Sequence, residues 1–303
     1  MFIIRHRKIF FVISGVLLAL SVWAMFAYGF NTSIDFNGGT LTEIKFVERP
    51  EQSDIERKIF SLNPGGFSVR SSGDLNFTIR TRELTADERQ LLVKVLGNPI
   101  VERQNTIGPV AGAELRSKAI KAVTVVILMI LIFVTFAFRK VSPPAGPGGQ
   151  VNLPRSWKYG LATIAALAHD VVIPTGIFVV LGHFMGIEID LLFVTGLLAI
   201  LGYSVHDTIV VFDRLRENLH LNKESNTNED FEVTVGKSVT QTIGRSINTS
   251  LTIFITLLAL YLVGSAATKD FALLLIIGII AGTYSSIFLA SPLLVTFYKL
   301  QRK

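Results

Sequence analysis

Residues 9–29 read IFFVISGVLLALSVWAMFAYG, an uninterrupted apolar stretch that follows the basic segment from Arg5 to Lys8. A helix of about 20 apolar residues crosses the hydrocarbon core of a bilayer, whereas the apolar part of a secretory signal has only about 7–15 residues. The stretch 9–29 is too long for a cleaved signal. We therefore predict a retained transmembrane helix.

Five more stretches meet the same criterion of length and apolar character. They lie at 119–138, 159–182, 188–212, 246–265 and 271–298. The 303-residue chain is 50% hydrophobic and only 17% charged, and its mean hydropathy is +0.51. Soluble proteins carry about 25% charged residues, so this composition excludes a soluble, disordered or fibrous protein. The chain has no cysteine, which excludes disulfides, thiolate metal sites and cysteine nucleophiles.

The distribution of basic residues predicts the orientation of the spans. The short segments on one side of the membrane contain fifteen Lys and Arg residues, and those on the other side contain one, Lys269. Because Lys and Arg in short loops favour the cytoplasmic side, both termini are predicted to be cytoplasmic. Loop anchoring then explains the net charge of +6, and we expect no nucleic acid as a partner.

The polar stretch 31–118 between the first two spans predicts an extracytoplasmic α/β domain. The residue pattern predicts strands at 40–48, 67–70, 75–81 and 100–107, helices at 51–62 and 85–96, and turns at 63–66 and 71–74. Thr85 and Glu88 have the spacing of a capping box at the start of the second helix. The order βαββαβ is that of a ferredoxin-like fold. Residues 31–121 contain no histidine, so we expect no catalysis here.

The predicted fold class is thus an α-helical polytopic membrane protein, with six transmembrane helices and one α+β ferredoxin-like extracytoplasmic domain. Its predicted divisions are the N-terminal tail and first span at 1–30, the domain at 31–118, the second span at 119–138, a Pro- and Gly-rich cytoplasmic linker at 139–158, and spans three to six at 159–303 with a cytoplasmic loop at 213–245.

Ionisable residues inside the spans are the candidate functional residues, because a charged group in lipid is costly. Asp207 and Arg245 lie at a similar depth near the cytoplasmic ends of spans four and five. We expect them to pair and to form a protonatable site; a static ion pair that only fixes helix packing is the alternative. His169 and Asp170 lie near the middle of span three, where structural satisfaction and a proton relay account for them equally well.

Polar residues around this pair predict a hydrophilic path. On a helical wheel, one face of span five is polar through its cytoplasmic half, and Arg245 lies on that face. Such a face must contact protein or water rather than lipid. Two polar residues of span four lie about one turn before Asp207. The predicted path is lined by Gln241, Thr242, Asn248, Thr249, Thr252, Tyr203 and Ser204.

Six sequence elements occur in the order of a known membrane-protein family. They are DFNGGT at 35–40, GPVAGAEL at 108–115, AHDV at 168–171, LGYSVHDTIVVFDRLREN at 201–218, QTIGRSINTS at 241–250 and GTYSSIFLASP at 282–292. With them the chain resembles, over nearly its whole length, the SecD/SecF family of protein-export subunits in the resistance-nodulation-division superfamily.

The resemblance implies a function, a location and partners. It implies an accessory subunit of the bacterial inner membrane that acts with SecD beside the SecYEG channel and uses the proton gradient to draw a translocating polypeptide across the membrane. YajC is a further partner under this hypothesis, lipid surrounds the spans, and no cofactor or metal is expected. The resemblance also implies proton-coupling roles for Asp207 and Arg245. The SecD half is absent from this chain, so SecD is expected as a separate protein.

The two alternative functions are that of a small-molecule exporter and that of an intramembrane protease. A proton-coupled small-molecule exporter of the same superfamily would act as a homodimer, because six spans are half of such a transporter. An intramembrane aspartyl protease would use Asp170 and Asp207 as its two carboxylates. These residues are predicted to lie roughly 10 Å apart in depth, whereas a catalytic dyad that shares a proton needs contact. We therefore expect the protein not to be an enzyme.

Overall fold

The computed structural model describes residues 2–62, 65–71, 74–139, 156–225, 227 and 229–301. The chain divides into two compact units. One, the helical unit, contains residues 1–29, 123–180 and 195–303; the other, the α/β unit, contains residues 30–122 and 181–194. Most of the predicted linker, 140–155, lies outside the described residues, as do parts of the two predicted turns, at 63–64 and 72–73.

The chain is a series of long apolar helices, and one α/β segment lies between the first and the second of them. In chain order the elements are α1 (Phe2–Arg5), α2 (Arg7–Tyr28), α3 (Ile34–Asn37), β1 (Gly39–Lys45), α4 (Gln52–Phe60), β2 (Phe67–Ser71), β3 (Asn76–Thr81), α5 (Ala86–Val95), β4 (Ile100–Ile107), α6 (Pro109–Ala137), α7 (Ser156–Met185), α8 (Leu191–Glu224), α9 (Phe231–Val263), α10 (Ala266–Ser285), a π-helical turn (Ser286–Ala290) and α11 (Ser291–Gln301).

Six helical stretches of the described chain are long and apolar enough to cross a membrane, which confirms the predicted number of spans. They correspond to α2, α6, α7, α8, α9 and the continuous run from α10 through the π-helical turn into α11.

Two of these helices are much longer than the predicted spans. The loop predicted at 213–245 is mostly helical, because α8 continues to Glu224 and α9 already begins at Phe231. Hydropathy identifies where a helix leaves the apolar layer, not where its backbone hydrogen bonds stop. The polar end of α8 is stabilised by ion pairs one turn apart, such as Arg214 with Glu217 at 2.6 Å.

Small residues set the close approach of helices in the helical unit. A Cβ atom added at Gly176 of α7 would lie 2.6 Å from the Cα atom of Ser21 in α2. On α10, Gly278 and Gly282 contact the side chains of Ile200 and Ser204 of α8. The G-x-x-x-G spacing in this last span therefore serves helix packing, as such spacing commonly does in membranes.

The α/β unit contains a four-stranded antiparallel sheet with the strand order β2-β3-β1-β4. Its apolar core includes Ile44 of β1, Ile55 and Ile59 of α4, Phe77 of β3 and Leu92 of α5, all of which are at most 1% exposed. The capping box is present, since the Glu88 amide donates to Thr85 and the Glu88 carboxylate accepts from the Thr85 amide. The βαββαβ order and the ferredoxin-like arrangement are confirmed.

Two glycine-containing sequence elements pack directly against each other in this unit. Gly38 has a φ of +76°, which favours glycine, and a Cβ atom there would lie 2.8 Å from the Cα atom of Pro109. A Cβ atom at Gly112 would lie 2.8 Å from the Gly38 nitrogen. The elements at 35–40 and 108–115 therefore form one backbone-to-backbone contact that tolerates no side chain.

Candidate proton-coupling site

Asp207 of α8 is a buried carboxylate inside the helical unit, and only 5% of it is exposed. Its Oδ1 atom accepts a hydrogen bond of 2.6 Å from the hydroxyl of Ser246 in α9. Its Oδ2 atom is also buried and has no hydrogen-bond partner among the described residues. A carboxylate with one oxygen held and the other unpaired is a costly arrangement, which suggests a functional role for the second oxygen.

The expected ion pair between Asp207 and Arg245 is not formed in the part of the chain that the structure describes. The carboxylate meets Ser246 instead, and the Arg245 side chain is exposed at the surface of the chain. Neighbouring residues of a helix point about 100° apart, so residues at one depth can face different sides. The similar depth of Asp207 and Arg245 did not decide which residue of α9 faces α8.

His169 and Asp170 form a second buried cluster on α7. His169 Nδ1 lies 2.9 Å from Asp170 Oδ1. The Oδ2 atom of Asp170 accepts hydrogen bonds from Ser204 of α8 and from Ser285 of α10, the latter at 2.7 Å. Asp170 is 0% exposed and both of its oxygens are hydrogen bonded. The cluster thus joins three helices through one carboxylate.

The two buried carboxylates belong to separate sites. Among the described residues, Asp170 and Asp207 share no hydrogen-bond partner, because Ser204 contacts the first and Ser246 the second. An aspartyl dyad requires two carboxyl groups in contact. This geometry gives the protease hypothesis no support. The described residues also contain no group of three or more His, Asp or Glu side chains that could hold a metal ion.

Tyr203 takes part in a chain of hydroxyl groups one helical turn from Asp207. Its Oη atom lies 2.6 Å from the Oγ atom of Ser250 in α9, which lies 2.6 Å from the Oγ1 atom of Thr283 in α10. Ser204, which we placed on the same predicted path, contacts Asp170 instead. Three helices therefore meet at hydroxyl groups beside the Asp207 carboxylate.

The predicted path residues of α9 divide between two faces of the helix. Asn248, Thr249 and Thr252 are exposed, like Arg245. Thr249 donates to the carbonyl of Arg245, and Thr252 to that of Asn248, each at 2.9 Å. Thr242 is buried and likewise donates to a carbonyl of its own helix.

Gln241 contributes to a polar contact between the extended ends of α8 and α9. Its Oε1 atom accepts from Arg214 Nε at 2.7 Å and from Asn218 Nδ2 at 2.9 Å. These hydrogen bonds continue the polar contacts between the two helices beyond Asp207. The α8–α9 interface is therefore hydrophilic over several turns, as the sequence predicted, but through a partly different set of residues.

Ser246 and Ser250 are the functional candidates that the sequence analysis missed. They lie four residues apart on the face of α9 that meets α8, and both are buried. The polar face predicted for α9 is the face that carries Arg245, and Ser246 points about 100° away from Arg245, outside that face. The signal was present in the serine spacing, which matches the spacing of Tyr203 and Asp207 on the facing helix.

Comparison with known proteins identifies the family. The family model for the SecD/SecF protein export membrane protein, C-terminal region, matches residues 89–145 and 150–300. The chain belongs to the SecD/SecF family. Both buried carboxylates, the exposed Arg245 and the hydroxyl groups of α8 to α10 lie within the matched residues.

Relatives in this family match nearly the whole chain. Protein translocase subunit SecF of Thermobaculum terrenum is 39% identical, over 97% of this chain and 93% of its own length. Protein translocase subunit SecF of Anaerolinea thermophila is 34% identical, over 97% and 92% respectively. The crystal structure of SecDF, a translocon-associated membrane protein from Thermus thermophilus, superposes with a TM-score of 0.84 at 31% identity. That comparison covers 99% of this chain but only 38% of SecDF.

Proposed function

We propose that the chain acts as an accessory subunit of the Sec protein-export machinery, in the role of its SecF relatives. The similarity to proteins named as translocase subunits over nearly their full length supports this role. The SecDF protein of Thermus thermophilus contains a region similar to 95% of this chain. That region makes up 37% of the length of SecDF. A separate SecD protein would supply the remainder, with which this chain forms the working unit.

The main support for proton coupling is the buried Asp207 carboxylate, one of whose oxygens has no hydrogen-bond partner among the described residues. Its Oδ1 atom is held by Ser246, so the side chain is fixed while Oδ2 stays available. In this proposal Oδ2 takes up and releases the proton that drives export. Arg245, His169 and Asp170 complete the proposed proton-coupling set, with Asp170 held in its separate cluster.

The exposed polar face of α9 is the surface on which SecD is expected. Arg245, Asn248, Thr249 and Thr252 lie on this face in a helix that is otherwise apolar enough to cross the membrane. The hydroxyls of Thr249 and Thr252 donate to carbonyls of their own helix. Lipid cannot satisfy the Arg245 guanidinium or the Asn248 amide, whereas a polar helix of a partner can. The Arg245 guanidinium needs a hydrogen-bond acceptor there, because a charge in hydrocarbon costs several kcal/mol.

The proposal places the chain in the bacterial inner membrane with both termini in the cytoplasm. The strong excess of Lys and Arg on one side of the six spans supports this orientation. The α/β unit then lies outside the cytoplasm, where a polypeptide leaving the SecYEG channel emerges. SecYEG, YajC and the translocating polypeptide are the further partners that this function requires.

The proposal is tested by replacing Asp207 with Asn in the full chain together with its SecD partner. Asn keeps the size of the side chain and its hydrogen bond to Ser246 but cannot carry a proton. Export into vesicles should no longer respond to an imposed proton gradient, while the complex still assembles. Asp213→Asn is the matched control on the same helix, because that side chain is 55% exposed and should leave the response intact. A wild-type response in Asp207→Asn would assign Asp207 a structural role.

Purification from mild detergent separates the proposal from the exporter hypothesis. A stoichiometric SecD protein that co-purifies with the chain supports the export function. A homodimer without SecD, in which a second copy covers α9, would support the small-molecule exporter instead.

A further inference from the structure

The connector between α7 and α8 belongs to the α/β unit and is paired through its backbone with the segment that precedes β1. The Ser33 amide donates to the Ile189 carbonyl at 3.0 Å, and the Ile189 amide donates to the Asn31 carbonyl at 2.9 Å. Thr32 and Ile189 form a parallel β-bridge between these two hydrogen bonds. The connector therefore pairs with the segment that precedes β1 in the manner of a short strand.

Side chains of the sheet extend this attachment along the connector. Arg70 of β2 donates to the Gly186 carbonyl at 2.8 Å. Arg80 of β3 forms an ion pair with Glu188, and these side chains are only 22% and 8% exposed. Ion pairs shielded from water to this degree are screened little by salt. The attachment thus combines backbone pairing with charged contacts from two strands.

Asp35 connects this attachment to the first residue of α8. Its Oδ2 atom accepts a hydrogen bond of 3.1 Å from the amide of Leu191, and its own amide donates to Ser33 Oγ at 3.1 Å. Asp190 also faces the first turn of α8, where it accepts from the Phe193 amide at 2.8 Å. Carboxylates stabilise a helix N-terminus, whose amides have no partner within the helix.

We propose that Asp35 is a positioning residue that couples α8 to the α/β unit during the export cycle. The inference rests on the proposed role of Asp207, which lies on the same continuous helix 16 residues after Leu191, or about 24 Å along it. A shift of α8 that follows proton binding at Asp207 reaches the N-terminus of the helix. Asp35 and the connector pass that shift to the α/β unit. Asp35 lies in the helical turn α3, which ends at Gly38 and packs against residues 108–115.

Replacement of Asp35 should separate proton use from export. In vesicles that contain the full chain and its SecD partner, Asp35→Ala should lower gradient-driven export about tenfold, the effect of losing one hydrogen bond to a charged group. Proton uptake by the same vesicles should persist, because Asp207 is untouched. Asp35→Asn should restore most of the export, since its amide oxygen still accepts from Leu191. Asp54→Ala is the matched control, because Asp54 is a half-exposed acid of the same unit.

These two readouts distinguish the inference from the function on which it rests. Export at the wild-type rate in Asp35→Ala would overturn the positioning role. Joint loss of export and proton uptake would also overturn it, because Asp35 would then act on the proton site or on folding. Failure of the proposed function itself would be seen in Asp207→Asn, which would keep its response to the gradient.

A cross-link tests the same inference with Asp35 left in place, and the reduced protein is the control for replacing the buried Ile189. The chain contains no cysteine, so Thr32→Cys with Ile189→Cys introduces its only thiols. Paired strands lie about 4.8 Å apart, within the range that a disulfide spans. If the attachment stays closed while it transmits movement, the oxidised protein should export at the rate of the reduced protein. Loss of export on oxidation, reversed by reduction, would show that the attachment has to open and would refute the inference.

Discussion

Replacing Thr40 with Val should destabilise the α/β unit more than the same replacement at Thr42, two residues further along β1. Thr40 is 0% exposed, and its Oγ1 atom accepts a buried hydrogen bond of 2.9 Å from the amide of Leu84. It also lies 3.0 Å from the hydroxyl of Thr106. Val keeps the shape of the side chain but removes the acceptor, so the Leu84 amide loses its partner where no water replaces it.

The expected loss of unfolding free energy follows from the Leu84 amide, which is left without an acceptor. A buried donor left without a partner costs about 1–3 kcal/mol. Thr42 is as deeply buried, at 1% exposed, but it accepts from the Nε2 atom of the exposed Gln104 at 3.2 Å. That amide can turn to water, so Thr42→Val should cost less than about 1 kcal/mol. For a domain of this size, a loss of about 2 kcal/mol in Thr40→Val lowers Tm by roughly 8–16 °C, and a loss below about 1 kcal/mol in Thr42→Val lowers it by less than roughly 4–8 °C.

The assay is thermal unfolding of an excised fragment, 35–110, followed by circular dichroism. We expect this fragment to be soluble, with a mixed α/β spectrum and a cooperative melt, because the apolar core around Ile44 and Phe77 lies within it. None of the residues 181–194 that it lacks belongs to this core, although Ile187, Ile189 and Phe193 are themselves buried. A disordered spectrum would contradict the independent folding of the domain.

The Tm values of the Thr40→Val and Thr42→Val fragments are compared with that of the unmodified fragment. Equal Tm values for Thr40→Val and Thr42→Val would refute the reasoning, since only one of them leaves a buried amide unpaired. Faster hydrogen exchange at the Leu84 amide of the full-length Thr40→Val variant provides a second measurement that does not depend on the fragment.

Two further predictions concern charged residues. The hydrogen bond from Arg82 holds the pKa of Glu88 at about 2, below its ordinary value of 4.5, so this pair should stabilise the fragment above about pH 4.5 and lose its effect as the pH falls towards 2. Glu88→Gln should therefore flatten the acid limb of a plot of fragment stability against pH, and an unchanged limb would contradict the assignment. In the full complex, Arg245→Ala should abolish gradient-driven export and Arg245→Lys should reduce it, because Lys cannot reproduce a two-pronged contact with the acceptor that we propose on SecD. Full export by Arg245→Lys would show that charge alone suffices.

The fold was largely predictable because its signals are long and repetitive. Apolar runs of membrane length and the alternating pattern of the strands do not depend on the details of packing. The ends of α8 and α9 could not be predicted in this way, since residues 213–224 are polar yet helical. Hydropathy indicates which residues can lie in the apolar layer of the membrane. The length of a helix depends on its backbone hydrogen bonds and local ion pairs.

The candidate site was predicted at the level of depth but not of direction. Asp207 is buried at the polar α8–α9 interface, as the sequence indicated, but its partner is Ser246 rather than Arg245. Ser204 was assigned to the same path and contacts Asp170 instead. Both differences have one cause: the sequence gives the position of a residue along a helix, and the neighbours of that helix decide which of its faces are used.

The two buried carboxylates of the spans differ in how many of their oxygens are hydrogen bonded. Asp170 has both oxygens hydrogen bonded and joins α7, α8 and α10, although the Nε2 atom of its neighbour His169 is buried and has no hydrogen-bond partner among the described residues. Among the described residues, Asp207 has a single hydrogen bond, to Ser246 of α9, and its second oxygen is buried without a partner. On the side of α8 that faces α7 and α10, Ser204 donates to a carboxylate with both oxygens bonded, whereas the side that faces α9 carries a carboxylate with one unpaired oxygen among the described residues. We propose that proton binding at this oxygen shifts α8 relative to α9, and that Asp35, which accepts from the first amide of α8, receives the shift at the N-terminus of that helix.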